Sequence, residues 1–389
     1  MNKTELIKKV KALKTQSGSH SPSIDTLLDI MGKNSIKVDA CFLSNPYATE
    51  LFNYYLEKLI LDKKEWGRTL EFYPPQNFEI AKNISKINNI PFENILVGNG
   101  AIEIIQILIH NYVKNNICVI IPTFSPYYEY VKDGVEIKYY NLKKEQDFKL
   151  DVDDLINFCN KEKIMNLCLI NPNNPNGHHI SHQKIKYLFN ELKHLDNIII
   201  DESFIHFAYE ESSFSNVSVE KCFNDYDNIT IIKSMSKDFG IAGIRCGYGI
   251  LNKNRVSEVL QTGYLWNISG LGAYFFKLYS SSDFISKYEF IRKKYIMNTQ
   301  NFISQLIVLS NKTSKIKIYP SKANFVLIEI INYKTSFEVM TDLLIEFGIY
   351  VRECSDKIGL NGEFIRVASR NFEENTYMIN SFEKYFCEK

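Results

Sequence analysis

Several things are scarce in this chain of 389 residues. No apolar run approaches membrane-spanning length, and the N-terminal Met1-Asn-Lys-Thr-Glu-Leu-Ile-Lys-Lys-Val10 interrupts its apolar positions with charge, unlike a secretory signal. Neither sign of charge dominates: 46 Lys and Arg against 45 Asp and Glu leave a formal net charge of +1. That balance removes the usual reasons to expect nucleic acid or an anionic membrane as a partner. The eight cysteines, at 41, 118, 159, 168, 222, 246, 354 and 387, include no Cys-x-x-Cys pair. Several lie in apolar strand-like runs, which suits reduced core thiols and a cytoplasmic setting. Internal repeats and low-complexity linkers are missing too. With 45% hydrophobic and 23% charged residues, the chain reads as a globular protein of more than one domain with a small-molecule ligand.

Short apolar runs end abruptly in polar or turn residues: Ile117–Ile121 before Pro122, Leu167–Ile170 before Asn171, Ile198–Ile200 before Asp201, and Ile229–Ile232 before Lys233. Buried parallel strands look like this, and helical stretches such as Ile102–Tyr112 and Ser181–Leu195 alternate with them. The alternation predicts an α/β sheet covered on both faces, in which ligands gather at the carboxyl ends of strands. Past about Gly270 the pattern changes. A long charged helical stretch runs to Ser310, then strands over Lys315–Tyr319, Ala323–Ile330 and Phe364–Ser369 surround a helix over Ser336–Phe347. The expectation is a large domain over residues 46–270 and a smaller α+β domain made of 1–45 and 271–389.

The chemistry-bearing residues stand at or just past the strand ends. Asp201 leaves an Ile-rich strand, where it can cap a helix or pair with a buried cation. Asn174, in Asn171-Pro-Asn-Asn-Pro-Asn-Gly177, can form a turn and donate its amide to a ligand; Pro175 is a candidate for a cis bond. Phe124, after a strand, can stack on a flat ring. Gly98-Asn-Gly100-Ala101-Ile102-Glu103 opens a helix whose exposed N–H groups suit a phosphate. Ser234, Ser236 and Arg245 can complete that phosphate cup around Lys237, in Ser234-Met-Ser-Lys-Asp-Phe-Gly-Ile-Ala-Gly-Ile-Arg245. A lysine that forms an imine, a carboxylate for a ring nitrogen, an amide for a ring oxygen and a phosphate cup are together what pyridoxal 5′-phosphate needs. The spacing Ser234-x-x-Lys237 also occurs in penicillin-binding enzymes, but the companion Ser-Asp-Asn and Lys-Thr-Gly motifs are absent. His178, His179 and His182 read as a solvated helix start rather than a metal site.

Taken with Ser44-Asn-Pro-Tyr47, Tyr73-Pro-Pro, Pro122-Thr-Phe124, Pro320-Ser-Lys-Ala-Asn-Phe325, Gly348-Ile-Tyr-Val-Arg352 and Phe364-Ile-Arg366, these segments carry a resemblance over nearly the whole length. The chain resembles fold-type I pyridoxal phosphate enzymes, in the branch of histidinol-phosphate aminotransferase and threonine-phosphate decarboxylase. The resemblance implies a large domain with a mainly parallel seven-stranded sheet beside a small α+β domain. Lys237, Asp201 and Asn174 would carry the catalytic roles, with Arg366 on the substrate α-carboxylate and Arg352 where this branch binds a substrate phosphate. Asn45 in the first motif is taken as a further substrate contact. Tyr73 would reach the cofactor phosphate of a neighbouring subunit, making a homodimer the active unit.

Two departures steer the function. Phe204 stands where most aminotransferases of the family have a tyrosine against the ring oxygen, and Arg370 where histidinol-phosphate aminotransferases usually have glycine. Both look more like threonine-phosphate decarboxylase, as does the position of His20 ahead of Asn45-Pro46. The resulting expectation is decarboxylation of O-phospho-L-serine or O-phospho-L-threonine; the alternative is an aminotransferase acting between glutamate or 2-oxoglutarate and a small phosphorylated substrate. A binding protein that has lost turnover is disfavoured, because Lys237, Asp201, Asn174 and Arg366 are all present.

Overall fold

The computed structural model describes residues 3–388. Among them the strands, in chain order, are β1 (Val38–Ala40), β2 (Ile95–Gly98), β3 (Asn116–Ile121), β4 (Glu136–Asn141), β5 (Asn166–Ile170), β6 (Asn197–Asp201), β7 (Ile229–Ser234), β8 (Gly247–Ile250), β9 (Ile316–Ile318), β10 (Phe325–Ile330), β11 (Ile349–Glu353) and β12 (Glu363–Ala368). They form two sheets in two compact units.

The larger unit comprises Ser44–Asn173 and His178–Lys294. Its seven-stranded sheet has the order β2-β8-β7-β6-β5-β3-β4, and β8 alone runs antiparallel to its neighbours. Every residue of β5, β6 and β7 is buried, which explains their high content of Ile and Leu: both faces lie under helices, so no position alternates toward water. The helix Ala101–Tyr112 buries Ile104, Ile105, Ile107, Leu108 and Ile109 against β3, β5 and β7 residues. At the opposite end, buried asparagines replace apolar side chains where loops must be tied. Asn166 Nδ2 donates to the carbonyls of Lys114 and Asn116, and Asn197 Nδ2 to that of Tyr112. The carboxyl ends of β6 and β7 deliver Asp201 and Ser234.

The second unit gathers the chain up to Leu43, the short segment Asn174–Gly177, and the chain from Tyr295 onward. Its five-stranded sheet has the order β1-β11-β12-β10-β9, with β1 parallel to β11 and the remaining pairs antiparallel. Helix Ser336–Phe347 begins with a capping box, Thr335 with Glu338, and ends at Gly348 with φ +68°. A Cβ there would also come within 2.7 Å of the Ser35 carbonyl, so this turn into β11 needs glycine. Leu343, Leu344, Val351, Ile365, Val367, Phe382 and Phe386 are part of its core.

The two compact units divide within the helix Ser282–Ser310, at residues 294 and 295. The helical stretch is also two helices, Gly270–Tyr279 and Ser282–Ser310. No helix among the described residues is long and apolar enough to cross a membrane. The cysteines are free, and all but Cys387 are buried.

Candidate active site

In the larger unit, Asp201 closes β6 with its side chain 3% exposed. Its Oδ1 accepts the Ser203 N–H at 2.8 Å and its Oδ2 accepts the hydroxyl of Tyr127, also at 2.8 Å. Burial pushes its carboxyl above the usual aspartate range, only partly offset by these donors. A buried carboxylate of this kind is stabilised by a cation, which a protonated pyridine supplies. Tyr127 was missed by sequence reasoning: it is wholly buried and orients the carboxylate.

The loop expected to hold a phosphate lies at the start of the helix Ala101–Tyr112. Its N-cap is Gly100, with φ +77° and no side-chain cap, so the first N–H groups, of Ala101 and Ile102, have no intrahelical acceptor. A Cβ at Gly100 would come within 2.5 Å of Nη2 of Arg245. The guanidinium therefore lies directly against this loop, donating from Nη1 to the Ala242 carbonyl at 3.0 Å and from Nη2 to that of Asn99 at 3.4 Å. Glu103 fixes the loop by accepting the Asn99 N–H at 2.7 Å, and is itself held by Asn267. Ser234 and Ser236 are buried at the end of β7, where Ser234 Oγ accepts the Ser236 N–H. Phe204 is buried and Phe124 partly buried.

Lys237 sits in the short helix Met235–Asp238 that follows β7. The backbone of this segment is held by the N-terminus of helix Pro46–Leu61. Asn45 donates its N–H to the Lys237 carbonyl at 3.0 Å and its Nδ2 to the Asp238 carbonyl at 3.3 Å, while its Oδ1 caps its own helix through Tyr47 and Ala48. Thr49 Oγ1 adds a bond to the Gly240 carbonyl. Asn45, expected as a substrate contact, is thus wholly buried and engaged in holding the lysine segment.

Behind the same segment is a polar network that the sequence did not disclose. Lys233 Nζ lies 2.7 Å from Glu202 Oε2, 3.2 Å from Glu220 Oε1 and 2.9 Å from Ser218 Oγ. Burial opposes its charge, but the two carboxylates overcome this and hold its pKa above the ordinary lysine range. Asp238 Oδ2 stands 3.6 Å from Nδ1 of His206, which meets the Tyr288 hydroxyl at 2.9 Å. Burial drives the Asp238 carboxyl well above the usual aspartate range and the His206 imidazole well below the usual histidine range.

The second unit holds the other expected residues. Arg366 is buried on β12; its Nη1 donates to Asn174 Oδ1 at 2.7 Å and its Nη2 to the Cys41 carbonyl at 2.8 Å. The first bond turns the Asn174 amide so that Nδ2 is the end left to donate. The Asn174-Pro175 bond is cis, as are Ile121-Pro122 and Asn171-Pro172. Arg352, directly opposite Arg366 across β11 and β12, donates to Ser19 O at 2.9 Å, to Asp356 Oδ2 at 2.6 Å and to the Glu353 carbonyl. His20, exposed, adjoins that Ser19 carbonyl. Arg370 lies 3.4 Å from Glu374.

The expectation for the histidines comes out differently. His178 and His179 are not at a solvated helix start: the His179 side chain is 5% exposed beside Glu210, and burial pushes His178 down to about 4. His182 starts the helix His182–Glu191 with Nε2 3.4 Å from Cys222 Sγ. Among the described residues no group of three His, Cys, Asp or Glu side chains is arranged to hold a metal. Tyr73 is 80% exposed and lies against Trp266, ring centroids 5.0 Å apart, on the rim of a hollow of about 980 Å³.

Residues 45–382 match the family described as aminotransferase class I and II. The chain is 47% identical over 383 residues to L-serine phosphate decarboxylase of Campylobacter jejuni, covering 98% of this chain and 97% of that protein. The solved structure of a decarboxylase from Sulfurospirillum multivorans, 40% identical, superposes with a TM-score of 0.94 over 99% of this chain and 97% of its own. Histidinol-phosphate aminotransferase from Clostridium acetobutylicum, 27% identical, reaches a TM-score of 0.75 over 90% and 98%. The chain has the fold-type I architecture and belongs to the family of class I and II aminotransferases.

Proposed function

We propose that this protein is a pyridoxal phosphate-dependent decarboxylase of a phosphorylated hydroxy amino acid, with O-phospho-L-serine as the preferred substrate. The observation that carries the choice of substrate is the buried cation pair Arg352 and Arg366, set opposite each other on adjacent strands. Like charges placed so destabilise a sheet unless anions neutralise them, and a phosphorylated amino acid brings both a phosphate and a carboxylate. The near-identity in length with the Campylobacter jejuni enzyme, whose name specifies serine phosphate, supports the same reading.

Bound pyridoxal phosphate supplies an electron sink for the charge left on Cα when carbon dioxide departs. The chain's own residues have separate tasks. Asp201, oriented by Tyr127 and Ser203, keeps the ring nitrogen protonated. Gly100, Ala101, Ile102, Ser234, Ser236 and Arg245 hold the cofactor phosphate, and Phe124 and Phe204 flank the ring. Lys237 Nζ anchors the cofactor and then moves protons. Asn174 Nδ2 donates to the ring oxygen. Arg366 grips the α-carboxylate, and Arg352, with Arg370 and His20, takes the substrate phosphate.

A homodimer is part of the proposal, with Tyr73 contributed to the partner's site. Its 80% exposure, beside the half-exposed Trp266, leaves it open to a second subunit. The free, buried thiols suit a cytoplasmic setting. The substrate assignment is tested by kcat/KM for O-phospho-L-serine, O-phospho-L-threonine and L-serine. Loss of the phosphate should cost about 10³-fold or more, since charged hydrogen bonds contribute roughly 1.5–3 kcal/mol each. Equal turnover of L-serine would overturn it.

A further inference from the structure

The turn after β11, Cys354-Ser-Asp-Lys357, carries a buried lysine that the assigned roles leave unused. Lys357 is 7% exposed, and its Nζ lies 3.6 Å from Asp356 Oδ2. That same oxygen accepts from Arg352 Nη2 at 2.6 Å, while Asp356 Oδ1 faces Lys14 Nζ at 3.2 Å. Lys14 also stands 3.6 Å from Glu353. With Arg366 opposite Arg352, four cations converge here on two carboxylates, Asp356 and Glu353, an excess of two positive charges. Arg366 itself has only neutral acceptors, Asn174 Oδ1 and Cys41 O, and its buried Nε has no hydrogen-bond partner among the described residues.

Burial and the neighbouring Arg352 both press the Lys357 ammonium downward, so in this arrangement its charge is under-compensated. The thiols of Cys41 and Cys354 offer no relief, because burial keeps them protonated. A cluster of this kind is completed by anions from outside, and a phosphorylated amino acid brings two, a carboxylate for Arg366 and a phosphate for Arg352 and Lys357.

We propose that Lys357 is a specificity-determining ligand of the substrate phosphate, acting with Arg352, and that Asp356 holds the two cations together until the phosphate takes them over. This rests on the phosphorylated-substrate reading above. As the dianion binds, Arg352 and Lys357 turn from Asp356 to its oxygens, and Asp356 keeps Lys14. No bond is made or broken in this exchange of ion pairs.

The test uses Lys357→Gln, Lys357→Arg and Asp356→Asn holoenzymes, with O-phospho-L-serine as substrate and inorganic phosphate as probe. Lys357→Gln should raise KM about 10–100-fold with kcat changed far less, because one charged hydrogen bond is lost from binding. It should weaken inorganic phosphate by a similar factor, read both as competitive inhibition and as protection of the holoenzyme against heat. Lys357→Arg should restore most of the binding, and Asp356→Asn should tighten phosphate by removing its competitor. Unchanged KM and unchanged phosphate protection in Lys357→Gln would overturn the proposal; if that variant fails to fold, Asp356→Asn binding phosphate no more tightly than wild type would do so. Phosphate protection needs no turnover. Wild type that turns over no phosphoserine, yet loses phosphate protection on Lys357→Gln, would refute the substrate and leave this inference standing.

Discussion

Tyr127 donates its hydroxyl to Oδ2 of Asp201 at 2.8 Å, and both side chains are closed off from water. The bond favours the ionised carboxylate that a protonated ring nitrogen requires. Removing the hydroxyl in Tyr127→Phe should cost about 1.5–3 kcal/mol of that preference. The expected outcome is weaker cofactor binding by roughly 10–100-fold in equilibrium titration, with kcat reduced as well. Unaltered cofactor affinity would show that the Ser203 N–H alone suffices.

Gly100→Ala tests the phosphate cradle. The added methyl meets Arg245 Nη2 at 2.5 Å, and alanine must adopt φ +77°. The backbone strain alone costs about 1–2 kcal/mol, and displacement of Arg245 adds to it. The variant should fold but bind cofactor at least tenfold more weakly; retention of full affinity would remove Arg245 from the cup.

Asn45→Ala separates a substrate contact from a structural one. The side chain caps helix Pro46–Leu61 and holds the Asp238 carbonyl, so its loss should lower stability by about 1–2 kcal/mol. Because the Lys237 segment loosens, kcat should fall while KM for substrate stays nearly constant. A large rise in KM at unchanged kcat would restore the substrate role.

His178 gives the pH dependence a sign. Its ordinary pKa is 6.5 and burial, first among the causes, lowers it to about 4 in the fold. Between these values the unfolded chain takes up a proton that the native chain does not, so stability falls as pH drops from 6.5 to 4. The contribution is on the order of 3 kcal/mol. His178→Gln should flatten the stability profile over that window, measured by denaturant unfolding; an identical slope in wild type and variant would contradict the assignment.

Much of this arrangement is legible in the sequence because burial on both faces leaves a simple signature. The runs in β3, β5, β6 and β7 are mostly Ile, Leu and Val and stop abruptly at a polar residue or proline, and so Asp201 and Ser234 could be placed at strand ends without coordinates. β4 is harder, since Glu-Ile-Lys-Tyr-Tyr-Asn is an edge strand with polar positions, and β8 reads Gly-Tyr-Gly-Ile, more like a turn. Tyr127 is one of three tyrosines within four residues, and the sequence does not say which turns inward. Lys357, in Ser-Asp-Lys-Ile-Gly, looks like a solvated loop residue until the fold buries it against Arg352.

The type of reaction is open to one direct measurement. Purified holoenzyme is incubated with O-phospho-L-serine, with and without 2-oxoglutarate, while carbon dioxide and glutamate are followed separately. The expected result is carbon dioxide and ethanolamine phosphate in equal amounts without any keto acid, abolished in Lys237→Ala. Glutamate formation that requires 2-oxoglutarate, with no carbon dioxide released, would contradict it and assign an aminotransferase instead.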